Sequence, residues 1–206
     1  MRAALCDEAL RLGRMLAQFL PGESEGHALL ALMELNASRT AARRGSNGQA
    51  VLLPDQDRSL WDAAQIQRGM TSLEHAQRLG GEVQYYALQA AIVACHMRAR
   101  AAEETDWERI VLLYDALMQT APSPIVALNR AVAVSMAQGP AAGLDALDAA
   151  TDSALAGYHL LHSVRGDLLM KMGNFAEARD EIQRALAMTK NLREQELLTE
   201  KLKQIS

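Results

Sequence analysis

Apolar residues recur along the chain at three- and four-residue intervals, and glycine, proline and small polar residues cut that pattern into stretches of helical length. The first stretch runs from about Ala3 to Leu20, with Leu5, Leu12, Met15, Leu16 and Phe19 on one side, and "PGES" stops it. A second runs from about Glu23 to Arg44. "GSNGQAVLLPD" is the longest interruption; Val51 to Leu53 is expected to cross in extended form, because Pro54 disfavours helix in the residue before it. Capping boxes, in which an N-cap oxygen takes a free amide and an acid three residues on reaches back, are spelled by Thr71 with Glu74, Thr105 with Glu108 and Asn191 with Glu194. Ser123 caps with Pro124 at the first helical position, Gly80 and Gly81 end a helix, and Gly139-Pro140 marks a tight turn. The pattern predicts roughly ten or eleven helices, joined by short turns that make neighbours antiparallel.

Helix pairs repeat in the second half. "GDLLMKMGNFAEARDEIQRALAM" sets Gly166, Leu169, Gly173, Ala178, Ile182 and Ala185 at the spacing of the tetratricopeptide pattern, where small residues let two helices touch and large ones fill the seam. About 35 residues upstream, Ala131, Val134, Gly143, Leu147 and Ala150 follow the same order, and Ile110, Tyr114, Leu117 and Pro122 fit the second helix of a still earlier pair. Stacked pairs line a concave face with their first helices, which predicts that Leu128, Val132, Ser135, Ser163, Asp167 and Met170 face a groove.

Composition agrees with this class. Half of the 206 residues are hydrophobic but only 4% are aromatic, which favours closely packed helices over a sheet. The expected fold is all-α: antiparallel helical pairs with a tetratricopeptide-like α-solenoid in the second half. The expected division is 1–81, an N-terminal helical part, and 82–206, the repeats, packed as one unit. A net charge of −4 supplies no basic stripe for phosphates, so direct nucleic-acid binding is not expected. Arg39, Arg43 and Arg44 read as a solvated helix C-terminus, where cations suit the dipole. Cys6 and Cys95 form no CxxC pair and read as buried thiols in a reducing compartment. No apolar run reaches membrane-spanning length, and "MRAALCDEALRLGRML" is too charged for a signal peptide, which predicts a cytoplasmic protein without membrane association.

Candidate chemistry is sparse. In "PDQDRSLWD", Asp55 or Asp57 reads as a helix N-cap, Trp61 as a packing residue near the helix start, and Arg58 as the partner of a nearby acid or a docking contact. No glycine-centred calcium loop accompanies the two acids. His159 and His162 lack an HExxH or carboxylate cluster, and His96 reads as a partner for a backbone group or acid. GxSxG and phosphate-cradling loops are absent. Asn129 and Arg130, inside "IVALNRAVAV", read as a hydrogen-bond tie between repeats or as a groove contact. The chain is expected to be no enzyme, with no catalytic residue, metal or cofactor. Its candidate interaction or docking residues are Asp57, Arg58, Trp61, Tyr86, Gln89, His96, Asn129 and Arg130.

Taken in order, "LCDEALRLGRML", "LLALMELNASRTAAR", "VLLPDQDRSLWD", "YALQAAIVACH", "TDWERIVLLYDAL" and "PSPIVALNRAVAVSMAQGPAAGLDALD" resemble the C-terminal region of those bacterial extracytoplasmic-function sigma factors that carry a tetratricopeptide-like extension. The family's glycine-proline before the tyrosine of the fourth block stands here as Gln84 and Tyr85. The resemblance implies the isolated extension, with the two sigma domains expected before Leu5. It implies a regulatory, protein-interacting role in transcription initiation. The partners implied are the sigma DNA-binding domains of the same parent, RNA polymerase through that parent, and a small YCII-related protein. The alternative is a free-standing tetratricopeptide adaptor that takes a peptide in its groove.

Overall fold

Side chains that meet free backbone groups set most helix ends. The computed structural model describes residues 3–45, 48–49, 51–150 and 157–205. Its α-helices are α1 (Ala3–Phe19), α2 (Ser24–Ala37), α3 (Ala63–Arg78), α4 (Tyr85–Arg98), α5 (Trp107–Thr120), α6 (Pro124–Gln138), α7 (Pro140–Ala150), α8 (His159–Lys171), α9 (Phe175–Met188) and α10 (Leu192–Gln204). Four single 3-10 turns lie at Ala41–Arg43, Leu53–Asp55, Arg58–Leu60 and Ala102–Glu104. The protein is all-α, with no strand among the described residues.

Ser123 accepts from the Val126 amide and Asn191 from the Arg193 amide, so both expected caps are in place. Other expected starts move. Thr71 lies inside α3 and donates back to the Gln67 carbonyl at 3.0 Å, the bond a mid-helix threonine makes when its amide is already paired. Asp106, one residue after Thr105, caps α5 by accepting from Arg109. The second helix stops at Ala37 and not at Arg44; just beyond, the Ser38 hydroxyl bonds the Leu35 carbonyl at 2.8 Å and Thr40 the Ala37 carbonyl at 2.7 Å. Leu52 is extended as expected, whereas Leu53 already begins a 3-10 turn.

Contacts divide the chain into two compact units, Met1–Ala121 and Pro122–Ser206. The expected boundary at 81/82 falls inside the first, where α4 packs on α2 and α5 on α4. In this unit Ala28, Ala31 and Leu35 of α2 meet Leu73 and Ala76 of α3 and Ala87, Ala90 and Ala94 of α4, with Trp61 and Met97 at one end. A core this rich in alanine brings helix backbones close together. At Gly69 even a Cβ would come within 2.7 Å of the Leu35 side chain.

The second unit pairs α6 with α7 and α8 with α9, and lays α10 on α9. The repeat positions behave as the pattern requires. Leu169, Ala178, Ile182 and Ala185 form one core with Leu198 and Ile205, and Leu128, Ala131, Leu147, Leu161 and Leu168 form another. Gly166 is the contact point of its pair, where a Cβ would lie 2.6 Å from Ile182 Cγ1. The expected groove face is altered. Leu128 and Ser135 are buried, and Asp167 is held by Lys201 of α10 at 2.5 and 2.6 Å.

Candidate functional site

The "DQDRSLWD" stretch builds a clasp within the first unit. Asp57 Oδ1 accepts from the Ser59 amide at 2.9 Å and the Ser59 hydroxyl at 2.7 Å, which starts the 3-10 turn Arg58–Leu60. Asp57 therefore caps this short turn, while the long helix that follows is capped by Asp62, which accepts from Gln65 at 2.8 Å. The turn sends Arg58 to the far end of α4. There its Nη1 donates to the carbonyls of His96 at 2.7 Å and Ala99 at 3.0 Å, the free acceptors of a helix C-terminus. The guanidinium lies 4.5 Å from the centroid of the Trp61 ring, in cation–π contact with a buried indole. The Asp62 amide donates to the Ser38 carbonyl at 3.0 Å, and the His96 ring meets Trp107 edge-on at 5.2 Å. One short segment thus joins the end of α2, the start of α3 and the end of α4, and His96 carries the contact on to the start of α5.

Positive charge collects around the clasp. Arg39 Nη2 donates to Asn36 Oδ1 at 2.9 Å, and Arg43 Nη2 reaches the Asn36 carbonyl and Oδ1 at 3.2 and 3.3 Å. Burial first, then the charges of Arg43 and Arg58, push Arg39 down to about 10. Arg39 is half-buried and not a solvated C-terminal arginine, and its buried Nε has no hydrogen-bond partner. Burial first, then Arg39 and Arg58, push His96 down to about 4, so at neutral pH it is an uncharged imidazole. Arg58 itself is lowered by burial and supported by Glu103 and Glu104. The Ser59 hydroxyl and amide hold the Asp57 carboxyl below its ordinary range.

His96, 35 residues further along the chain than Trp61, is therefore brought to the Asp57, Arg58 and Trp61 stretch. Tyr86 and Gln89 lie in the N-terminal part of α4, about 15 and 10 Å from His96 at the helical rise. There the Tyr86 amide donates to Glu25 Oε2 at 3.1 Å, and Gln89 donates to the Tyr85 carbonyl at 3.4 Å. Asn129 and Arg130 sit on α6 in the second unit; Asn129 is exposed and Arg130 half-buried, so Asn129 is no buried tie. His159 and His162 pair with Glu194 and Glu181 at 2.7 and 2.6 Å. Asn36, Ser59, Glu25 and Trp107 went unnoticed in the sequence. The spacing of Asn36, Arg39 and Arg43 on successive helical turns was the one available hint.

The second feature is a surface. α1 buries Leu10, Gly13 and Ala17 against α2, yet Leu5, Leu12, Leu16 and Phe19, on another face, are 62%, 52%, 38% and 75% exposed. Among the described residues no cluster of three or more His, Cys, Asp or Glu side chains is placed to hold a metal, and no helix is long and apolar enough to cross a membrane.

Residues 55–206, nearly three quarters of the chain, match the family described as a tetratricopeptide repeat-like domain. The chain belongs to that family. Residues 1–77 of this tetratricopeptide repeat-like protein also match a family of unknown function (DUF6596), so the clasp lies where the two matches overlap. An uncharacterized protein of Rhizobium meliloti is 46% identical over 192 residues, which cover 93% of this chain and 45% of that protein. The chain thus spans less than half the length of the curated relative it matches. No solved structure matches it.

Proposed function

We propose that this chain is the regulatory, protein-interaction region of a longer transcription factor, an extracytoplasmic-function sigma factor, and that it acts by contact and not by catalysis. The observation that carries the reading is the second apolar face of α1. Leu5, Leu12, Leu16 and Phe19 form a stripe on a helix that already satisfies its own unit through a different face. Burying each such side chain is worth roughly 1.5–3 kcal/mol, enough for the stripe to hold another domain of the same polypeptide at high effective concentration. The ordered blocks that resemble the sigma-factor extension supply the identity of that domain: the sigma DNA-binding domains, and through them RNA polymerase. The greater length of the relative is in keeping with further domains in the parent. A small YCII-related protein is a further proposed partner. Metal, cofactor and direct promoter contact have no part in this reading.

The test uses the full-length parent. Leu12→Glu combined with Phe19→Glu is expected to leave the melting temperature of the isolated chain nearly unchanged, while altering promoter-dependent transcription by the parent and weakening capture of separately produced sigma domains. Unchanged transcription and unchanged capture would reject the reading. Membership of the tetratricopeptide repeat-like family also favours an adaptor that takes a peptide on the second unit. An open reading frame without sigma domains would select that alternative.

A further inference from the structure

A different part of the first unit carries a site that the interaction reading does not use. Where α1, α2 and α3 meet, Glu34 is 1% exposed. Its Oε1 accepts from Arg14 Nε at 2.9 Å and Nη2 at 2.6 Å. Its Oε2 is buried without a hydrogen-bond partner. Arg68 Nη2 stands 3.6 Å from that oxygen, near enough to lend charge and too far to bond. A buried carboxylate is stable only when its charge and its lone pairs are both met, and here the second oxygen is met by charge alone.

The two guanidinium groups line a cleft of about 310 Å³ together with Leu30, Glu34, Gln67, Thr71 and Ser72. Arg68, Thr71 and Ser72 fall three and four residues apart on α3 and share one side of it. Two cations oppose one carboxylate, which leaves one positive charge in excess. Arg68 forms no hydrogen bond to any described residue, and its side chain is 50% exposed. An arginine set beside a buried acid but short of hydrogen-bond distance, with half of its side chain exposed, keeps donors for the two parallel bonds by which a guanidinium takes a carboxylate or phosphate. The cleft volume is at the lower end of the range for small-molecule sites.

We infer that the Arg14–Glu34–Arg68 cleft binds a small molecule bearing a carboxylate or phosphate group, with Arg68 as the main contact, Glu34 as the positioning residue, and Ser72 as the hydroxyl partner. The chemistry shared by the two ligand types is an oxyanion with neighbouring acceptors.

The experiment is thermal denaturation of the whole chain in increasing sodium phosphate or sodium succinate, each against sodium chloride at matched ionic strength. A ligand that binds only the folded state raises the midpoint with concentration. The expected result is a saturable rise with at least one of the two, absent in Arg68→Gln and retained in Arg193→Gln, an exposed arginine of the second unit. A rise with phosphate alone would assign a phosphate ester, and with succinate alone a carboxylate. Should Arg68→Gln fail to fold, Arg68→Lys keeps the charge but not the fork, and titration calorimetry should find it about tenfold weaker than the parent. No rise beyond chloride with either anion, a rise that survives in Arg68→Gln, or equal calorimetric affinity for Arg68→Lys would overturn the inference.

Discussion

Arg58 shows how one side chain can do the work of several contacts. It closes the C-terminus of α4, lies over Trp61 and raises the local positive potential felt by His96. Three substitutions separate these effects. Asp57→Ala removes the cap of an exposed 3-10 turn and should lower the melting temperature only slightly. Arg58→Ala leaves two helix-end carbonyls without their donor and should cost about 2 kcal/mol or more. Trp61→Ala empties a buried site and should cost about 3–5 kcal/mol. Urea denaturation of the three variants checks this order, and a severe Asp57→Ala would contradict it. His96 adds a pH dependence. Its folded value of about 4 lies below the ordinary 6.5, so the unfolded chain binds the extra proton. The stability contributed by its neutral state is complete above about 6.5 and is lost as pH falls toward 4. Stability measured across that window should fall with acid, and His96→Gln should flatten the fall. At this scale the sequence set Asp57, Arg58 and Trp61 in one stretch without showing what they touch. Asp57, Arg58 and Trp61 were recognisable as a unit, but the acceptors of Arg58 lie 38 and 41 residues further on, beyond any local pattern.

Among the elements, helices whose apolar residues keep to one side were legible and those buried on several sides were not. α1 and α9 announced themselves by spacing. α2 buries Ala28, Leu30, Ala31 and Leu35 in different directions, so its pattern gave no stop signal, and its end at Ala37 depends on Ser38 and Thr40 bonding back to carbonyls. Thr71 misled for a related reason: a threonine followed by an acid three residues later also occurs inside a helix, where its hydroxyl bonds the preceding turn. The repeat glycines were the best guides, because their role is steric. Gly166→Ala forces α8 away from Ile182 and should destabilise by about 1–3 kcal/mol, the usual cost of overpacking a filled core. A companion Ile182→Val should recover part of the loss. Thermal melts that show Gly166→Ala neutral or stabilising would mean that the pair is looser than its packing indicates.

The molecule as a whole carries net charge −4, and its arginines at the clasp are engaged with helix-end carbonyls and Asn36. Neither feature suits a phosphate backbone. Electrophoretic mobility or fluorescence anisotropy with promoter duplexes at physiological salt should therefore detect no sequence-selective binding by these residues alone. The all-α class and the repeats of the second half could be read from composition and spacing. The division into units could not: nothing in the "GGEVQYY" stretch tells a reader that α4 will lie against α2, because that choice is made by alanines too small to stand out in any pattern.

Those alanines also bear on how the first unit can change over time. An alanine gives up no rotamer freedom when it is buried, and it has no alternative shape with which to absorb a neighbour's substitution. In a core of leucines one side chain can yield to another, whereas here Ala28, Ala31, Ala76, Ala87, Ala90 and Ala94 fix the distance between helix axes directly. Enlarging any one of them shifts a whole helix, and with it the clasp at one end of α4 and the Glu25 contact at the other. Tolerated variation in this unit should therefore collect on its outer faces, leaving the inner spacing as a rigid ruler between its two ends.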